Sequence, residues 1–359
     1  MTHSFPKRGL TRRLAMAGLA SMALFTASAA MAQSTPVART HNPEAPVRVS
    51  GLTQAVELGP VYVAIDRFYE GKIPVTYGGI PLLFPEHWGG PIKATDIAGH
   101  AETQLLRNSV AHPNTRVIFT VAQGHYRILA RRSSGIEKIE DLRGKKINTM
   151  YPTSAGFYLF NVLEMAGISP DEVTIQSAWT MGSITDPIIK GDVDAFTLWE
   201  PEMEHATREL GDDAIVFAVN PGHWENYNLN TTAENLADPA MRKKIVEFVA
   251  AMILAVEEVN RDPSHAITRA AEMSNNPREL VEASYGNHSF PGKIADGLLD
   301  TLVKEEAWLA PQTGREPRSR EELAKLIDYS IVEEAQALIK AHDGNPFKHK
   351  AEGHEHEHD

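Results

Sequence analysis

Alternation of short apolar runs with helical patterns is the feature that most restricts the fold of this 359-residue chain. In the middle third, two stretches with helical spacing separate three strand-like runs, namely Ile147–Met150, Val173–Ser177 and Ala195–Trp199. Regular alternation of this kind is typical of a parallel sheet covered by helices. The sequence therefore predicts an α/β protein, followed by a last third that is almost entirely helical.

The first third shows the same alternation less regularly. Strand-like runs begin at Val47, Ile73, Thr95 and Val117, and helical patterns follow the first and third of them. Residues 78–91 contain two Gly-Gly pairs and three prolines, so their composition predicts a loop. A chain of this length has room for two lobes, each with its own core.

Residues 1–32 have the pattern of an export signal. Four basic residues precede an apolar run, and a small-residue cleavage site ends at Ala32. The Arg12-Arg13 pair leaves twin-arginine export open beside the general route. We expect cleavage near Ala32, a proline-containing linker over residues 33–46 and a protein that is free in the periplasm.

Charge and cysteine content exclude several functions. The formal net charge is −12, and removal of the four basic residues of the signal would make it −16. An acidic protein is a poor ligand for nucleic acid or for an anionic membrane surface. The absence of cysteine excludes disulfides, zinc–thiolate sites and a cysteine nucleophile. We expect no bound cofactor, no nucleic-acid partner and no catalytic residues.

The end of the chain, residues 342–359, is rich in histidine and is predicted to be a disordered tail. His354, His356 and His358 alternate with acidic residues there. Such a tail can bind zinc, nickel or copper weakly, because neutral imidazole suits these metals. It can equally be a solvated segment without a metal site, and the sequence leaves both interpretations open.

Two segments carry a resemblance to a known family. The first is Gly135-Ile136, followed by Asp141-Leu142-Arg143-Gly144-Lys145-Lys146-Ile147, and the second is Gly191-Asp192-Val193-Asp194-Ala195, followed by Trp199-Glu200-Pro201. In their order and spacing they resemble periplasmic solute-binding proteins of ABC importers, in the nitrate, sulfonate and taurine branch. The resemblance extends over about residues 47–340.

This resemblance implies a two-lobed periplasmic binding protein of type II-like architecture, with a ligand cleft between the lobes. Residues 47–124 and 227–341 would form one lobe, and residues 125–226 the other. The protein would be a monomer that closes by a hinge motion on a small solute and delivers it to an ABC permease in the inner membrane. A sulfonate, taurine, nitrate or an aromatic or heterocyclic compound would be its solute.

Residues 147–158 point to one part of the site. A strand-like run there leads through Tyr151-Pro152 into a helical pattern that begins at Thr153 or Ser154. The N-terminus of a helix presents unpaired N–H groups and a partial positive charge, and Gly156 would let a ligand approach the backbone closely. This segment is predicted to hold an anionic or acceptor-rich head group, although ordinary helix capping explains the same residues.

The remaining candidates follow from the rule that ligands of open parallel sheets bind beyond the carboxyl ends of the strands. The predicted ligand-binding residues are Gln54, His100, Thr103, Gln123, His125, Tyr151, Thr153, Ser154, Gly156, Trp179, Met181, Trp199, Glu200 and Tyr227. No arginine stands in these segments, which argues against a simple oxyanion and leaves room for a larger organic solute.

Two other functions stay open as alternatives. In an enzyme on the same fold, His100 with Glu102 or His125 would act as acid and base on a small organic substrate. No recognisable nucleophile or cofactor loop accompanies them, so an enzyme is not expected. In a metal-handling protein, the histidine-rich tail would be the binding element.

Overall fold

The computed structural model describes residues 46–69, 73–84, 95–177 and 181–347. The predicted export signal lies outside the described residues, as do the linker up to residue 45 and the tail from residue 348. These three segments stay predictions.

The described residues form strands and helices that we number in chain order. The strands are β1 (Val49–Gly51), β2 (Val75–Tyr77), β3 (Ile97–Ala101), β4 (Thr115–Gly124), β5 (Ile128–Arg131), β6 (Lys146–Thr149), β7 (Thr174–Ser177), β8 (Ala195–Phe196), β9 (Ala214–Phe217), β10 (Glu225–Thr232) and β11 (His288–Ser289). The α-helices are α1 (Gly59–Val63), α2 (Glu102–Ala111), α3 (Ser154–Met165), α4 (Met181–Lys190), α5 (Glu202–Leu210), α6 (Ala233–Ala237), α7 (Pro239–Arg261), α8 (Ser264–Ser274), α9 (Arg278–Tyr285), α10 (Leu298–Gln312), α11 (Arg320–Ala324) and α12 (Ser330–Ala341).

The first sheet contains six strands in the order β11-β4-β10-β3-β1-β2. Strand β1 pairs in parallel with β2 and β3. Strand β10 enters from the second half of the chain and runs antiparallel to β3 and β4, between which it lies. The sheet is therefore mixed, and its centre depends on a strand that is remote in sequence from its neighbours.

The second sheet contains five strands in the order β7-β6-β8-β5-β9. Strand β6 pairs in parallel with β7 and β8, which confirms the parallel arrangement predicted for the middle third. Strand β5 runs antiparallel to β8 and β9. Strands β5 and β9 are not among the strands that the alternation predicts, so this sheet is also mixed rather than purely parallel.

Each sheet has its own buried core. Phe119 and Phe248 are fully buried in the first core, and Leu129 and Phe196 are fully buried in the second. Two mixed sheets with separate cores and covering helices confirm the predicted two-lobed α/β fold. Strand β10 begins at Glu225, two residues before Tyr227, where the chain is predicted to return to the first lobe. The lobe boundaries themselves stay predictions.

Local sequence explains several element boundaries. Pro60 stands in the first turn of α1, where its missing N–H costs nothing, and the helix continues as a π-helix over Ala64–Phe68. The stretch predicted as a loop over residues 78–91 contains a 3₁₀ helix at Ile80–Leu83, because three apolar side chains there are buried in the core.

In the described part of the chain, no helix combines the length and apolar content needed to cross a membrane.

A buried ion cluster fixes the position of α2, whose first residues lie at the cavity described below. Glu306 of α10 is fully buried and accepts hydrogen bonds from Arg315 and from Arg318, whose Nε lies 2.9 Å from the carboxylate. Arg318 also donates to Leu106 O and to Ser109 Oγ of α2, each at 2.9 Å. Burial alone would raise the pKa of Glu306, but the two guanidinium groups lower it to about 2.

Replacement of Glu306 by glutamine should lower the free energy of unfolding by about 3 kcal/mol at pH 7, because it leaves two arginines without their shared carboxylate. The pKa of Glu306 is lowered on folding, so its stabilising effect is present above the ordinary glutamate value of 4.5 and is lost as the pH falls towards 2. Urea unfolding of Glu306→Gln and wild type should therefore differ less near pH 3 than at pH 7. The exposed Glu333→Gln is the control, and a difference independent of pH would contradict this role.

Candidate functional site

A cavity of about 290 Å³ lies between the carboxyl-end segments of the two sheets. This volume is at the small end of the range for ligand pockets. Segments that follow β1, β3, β6 and β8 supply most of its wall. It is lined by Leu52, Gln54, Ala55, Glu57, Tyr77, His100, Ala101, Thr103, Gln104, Tyr126, Met150, Thr153, Ser154, Trp199, Glu225 and Tyr227.

The structure brings seven of the predicted ligand-binding residues together at this cavity. They are Gln54, His100, Thr103, Thr153, Ser154, Trp199 and Tyr227. They come from both sheets, as the strand-end rule requires. Trp179 lies outside the described residues, as do the side chain of Met181 and the tail histidines His354, His356 and His358. Their proposed roles stay predictions.

Five predicted residues do not line the cavity and instead make contacts within the protein. Gln123 donates to the Asn226 side chain at 3.0 Å, and Tyr151 packs edge-on against Trp308. Gly156 packs under Tyr151, as described below. The last two, His125 and Glu200, lie close to the two connections between the sheets.

The contacts of His125 and Glu200 join parts of the chain that are distant in sequence. His125 bonds Ser289 Oγ at 3.1 Å and lies against the Trp224 ring. Glu200 is buried, pairs with Arg127 and accepts a hydrogen bond from Asn287 at 3.1 Å. Glu200 therefore links the second sheet to the segment before β11, His125 is held against β11, and neither side chain lines the cavity.

The start of α3 reaches the cavity wall, but its hydroxyl groups already have partners. Thr153 donates to Met150 O, and Ser154 Oγ lies 2.9 Å from the Tyr126 hydroxyl. Both residues are buried and line the cavity. The partial positive charge of the helix N-terminus therefore acts on the cavity, while the hydroxyls stiffen the wall.

Gly156 has a different role from the one its position suggests. A Cβ atom added there would lie 2.7 Å from Cδ2 of Tyr151, which is closer than real Cβ contacts. The absence of a side chain therefore makes room for the Tyr151 ring, which lies against the first turn of the helix. The expected close approach of a ligand to this glycine stays a prediction.

His100 is neutral at physiological pH. Its Nδ1 accepts a hydrogen bond from the backbone N–H of Ala101 at 3.0 Å. Burial of the imidazole, together with the nearby Arg107, lowers the pKa of His100 to about 4. His100 can offer a neutral N–H to a ligand, but it does not bring a positive charge to the cavity.

Two glutamates that the sequence analysis did not select also line the cavity. Glu57 and Glu225 are only 3% and 5% exposed. Among the described residues, Oε2 of each carboxyl group has no hydrogen-bond partner. Glu57 Oε1 lies 3.6 Å from Nε2 of His288. Burial of a carboxyl oxygen without a hydrogen-bond partner costs free energy, so two such oxygens in one cavity wall are an unusual feature.

Burial and neighbouring charged groups shift the pKa values of the ionisable residues at this wall. Burial raises the pKa of Glu225 well above its ordinary value, and the charges of Glu102, Glu57 and Glu305 raise it further. Burial likewise raises the pKa of Glu102 to about 8. Burial alone would lower the pKa of His288, but the Glu57 carboxylate raises it above its ordinary value.

Positive side chains do not balance these acids at the cavity. Of the described residues that line it, none is lysine or arginine. Arg127, which lies near the first connection between the sheets, is 14% exposed and is paired with Glu200. The available signal for Glu225 was its position as a charged residue beside a predicted lobe boundary, but an expected anionic ligand does not favour a carboxyl group in the site.

Within the described ranges, no three histidine, aspartate or glutamate side chains are grouped closely enough to hold a metal ion. This leaves the predicted metal site of the tail untested, because the tail lies outside those ranges.

Replacement of Gly156 by alanine should destabilise the protein by about 1–3 kcal/mol, because the new methyl group collides with the Tyr151 ring. A glycine that only offered access to a ligand would tolerate alanine or gain stability from it. Gly286→Ala is the matched control, since its Cβ would meet only Ala283 O at 3.8 Å. Thermal unfolding of both variants checks this, and an unchanged midpoint for Gly156→Ala would contradict the packing role.

Comparisons with known proteins place the fold. Residues 93–266, just under half of the chain, match the family model described as NMT1/THI5 like. No curated protein sequence gives a significant match.

Solved structures share the architecture at low sequence identity. The alkanesulfonate-binding protein of Xanthomonas axonopodis pv. citri, bound to MOPS, is 17% identical with a TM-score of 0.61, over 80% of this chain and 99% of that one. The periplasmic aliphatic sulphonate-binding protein of Escherichia coli is 12% identical with a TM-score of 0.60, over 79% and 92%. The desulfurization enzyme DSZB is also 12% identical with a TM-score of 0.57, over 82% and 99%.

These matches confirm the resemblance to periplasmic solute-binding proteins, including sulfonate-binding ones, and the fold is theirs. The nitrate and taurine parts of the expectation are not tested by them. The DSZB match shows that an enzyme shares the fold.

Proposed function

We propose that this protein is the solute-binding component of an ABC importer. The observation that carries the proposal is the cavity of about 290 Å³, whose wall is built from strand-end segments of both sheets. A solute held there contacts both halves of the molecule at once. Binding can therefore favour a closed arrangement of the lobes by its extra contacts.

Contacts between the two halves support closure as the working motion. Arg107 donates to Pro152 O at 3.3 Å, and the Trp308 ring packs against Phe157 of α3. Arg208 donates to Glu279 O at 3.1 Å. The two arginine contacts are exposed, whereas the Trp308–Phe157 contact is buried, and the proposed hinge motion would break and reform them. We propose lobes of residues 47–124 with 227–341 and of residues 125–226, joined near Gly124-His125 and Tyr227-Asn228.

The proposed solute is a small organic molecule that carries an acceptor group. The N-terminus of α3 favours such a group near Thr153 and Ser154. The aromatic side chains of Tyr77, Tyr126 and Trp199 provide surfaces for an apolar or ring-containing body. Sulfonates fit the acceptor end, although the wall offers no arginine or lysine from the described residues to hold a simple oxyanion.

Export and partners follow from the same proposal. Residues 1–32 would direct the chain to the periplasm, where it would act as a monomer. Its protein partner would be an ABC permease of the inner membrane, to which the closed form delivers the solute.

An enzyme is the second candidate, because Glu102 and Glu225 are carboxyl groups with raised pKa values at a cavity. The direct partner of Glu102 argues for a structural role, because its Oε2 accepts the backbone N–H of Asn226 at 2.8 Å. If mass spectrometry recovers a bound solute unchanged after prolonged incubation, an enzymatic function is contradicted.

Replacement of Ala101 by phenylalanine should fill part of the cavity and weaken solute binding at least tenfold with little loss of stability, since the new ring occupies the space of the solute. Thermal-shift measurements would use the purified protein and a panel of sulfonates, aromatic carboxylates, pyrimidines and amines. A ligand at a hundred times its dissociation constant stabilises the folded state by about 2.7 kcal/mol, which is readily seen.

Ala111→Phe, the same substitution at the exposed far end of α2, is the control and should bind like wild type. Equal binding by both variants would show that the solute lies elsewhere. A wild-type protein that no small molecule stabilises would contradict the proposed function.

A further inference from the structure

The wall formed by Glu57 and Glu225 restricts the chemistry of the solute. Both carboxyl groups line the cavity and are at least 95% buried. Each has one oxygen, Oε2, without a hydrogen-bond partner among the described residues. Native proteins rarely leave such atoms unpaired, because each costs free energy. The cavity is where a partner for them can enter.

The groups around Glu225 determine which charge a partner of its unpaired oxygen should carry. The titratable groups that act on it are Glu102 at the start of α2, Glu57 before α1 and Glu305 on α10. His288 of β11 lies beside Glu57, 3.6 Å from it. Three of these four neighbours are acids, and the one base is already engaged. An anionic group placed here would find no lysine or arginine among the described lining residues, whereas a cation would favour the ionised form of these acids and pair with it.

The aromatic residues of the cavity are also suited to a cationic partner. Tyr126 and Tyr227 are buried beside Glu225, and Tyr77 and Trp199 lie on the remaining wall. Aromatic faces attract a positively charged nitrogen and also cover the apolar body that carries it. A wall of buried carboxylates and aromatic rings is well suited to an organic cation.

We propose that the solute carries a positively charged nitrogen group, a protonated amine or an amidinium, held by Glu57 and Glu225. This inference rests on the proposed solute-binding function and adds the charge class of the solute. The acceptor group at the start of α3 and the cationic group at the glutamates make the preferred solute bipolar. Its cationic end contacts Glu57 of the first proposed lobe and Glu225 at the boundary between the lobes, and its acceptor end contacts α3 of the second.

Compounds that share a skeleton and differ in charge test the inference. The probes are benzylamine and benzamidine as cations, benzyl alcohol as the neutral control, and benzoate and benzenesulfonate as anions. The two cations should raise the melting temperature of the full-length protein at millimolar concentration, and the other three should not. Glu225→Gln and Glu57→Gln should each weaken cation binding at least tenfold in calorimetry, whereas Glu257→Gln on the exposed face of α7 should not.

A measurement on the wild-type protein keeps the test independent of these variants. Burial and neighbouring acids keep a proton on Glu225 in the empty cavity, so a cation must displace it. The affinity for benzylamine should therefore rise with pH from 6 to 8, by up to tenfold per unit. The binding enthalpy should also depend on the ionisation enthalpy of the buffer.

The outcomes separate this inference from the proposed function. Binding of the anions in preference to the cations overturns the inference and leaves a solute-binding protein. Cation binding that is unchanged in both glutamine variants and independent of pH overturns the role of Glu57 and Glu225. Failure of every compound, charged or neutral, in this set and in the wider panel contradicts both.

Discussion

The fold and the cavity both depend on β10, which returns from the second half of the chain to lie between β3 and β4. All eight of its residues are buried. Side chains two positions apart share a face of a strand, so Glu225 and Tyr227 point the same way, and both line the cavity. The Tyr227 hydroxyl also accepts the backbone N–H of Leu52 at 3.0 Å. One strand thus completes the first sheet and fixes the end of β1 beside the site.

Strand β10 also shows why part of the fold escapes prediction from sequence. Its residues Glu-Asn-Tyr-Asn-Leu-Asn-Thr-Thr lack the apolar character of a buried central strand. Tertiary hydrogen bonds make the burial possible: Thr120 donates to the Asn228 side chain at 2.7 Å, and Asn230 donates to Ala98 O at 3.1 Å. These partners are more than a hundred residues away, so no local pattern reveals them. The parallel strands β6, β7 and β8 were predictable from their alternation with helical patterns, and β6 and β8 also bury apolar side chains.

The candidate site was predictable to a similar extent and for a related reason. The strand-end rule identifies the edge of each sheet, and three of the residues it selects, Thr153, Ser154 and Trp199, line the cavity. It does not specify which side chains at that edge turn towards the space and which turn towards the other half of the molecule. His125 and Glu200 turn away because their polar groups find partners across the two connections.

Proteins of one fold can differ in the charge of the side chains that line the cavity. The backbone supplies the strand ends and the helix N-terminus, which are common to proteins of this architecture and favour acceptor groups. Side chains on that backbone then decide the rest, and here they are two buried carboxyl groups, a neutral His100 and several aromatic rings. The likeness to sulfonate-binding structures shows the fold alone. On that fold, the unpaired oxygens of Glu57 and Glu225 are the feature that favours a cationic group in the proposed solute.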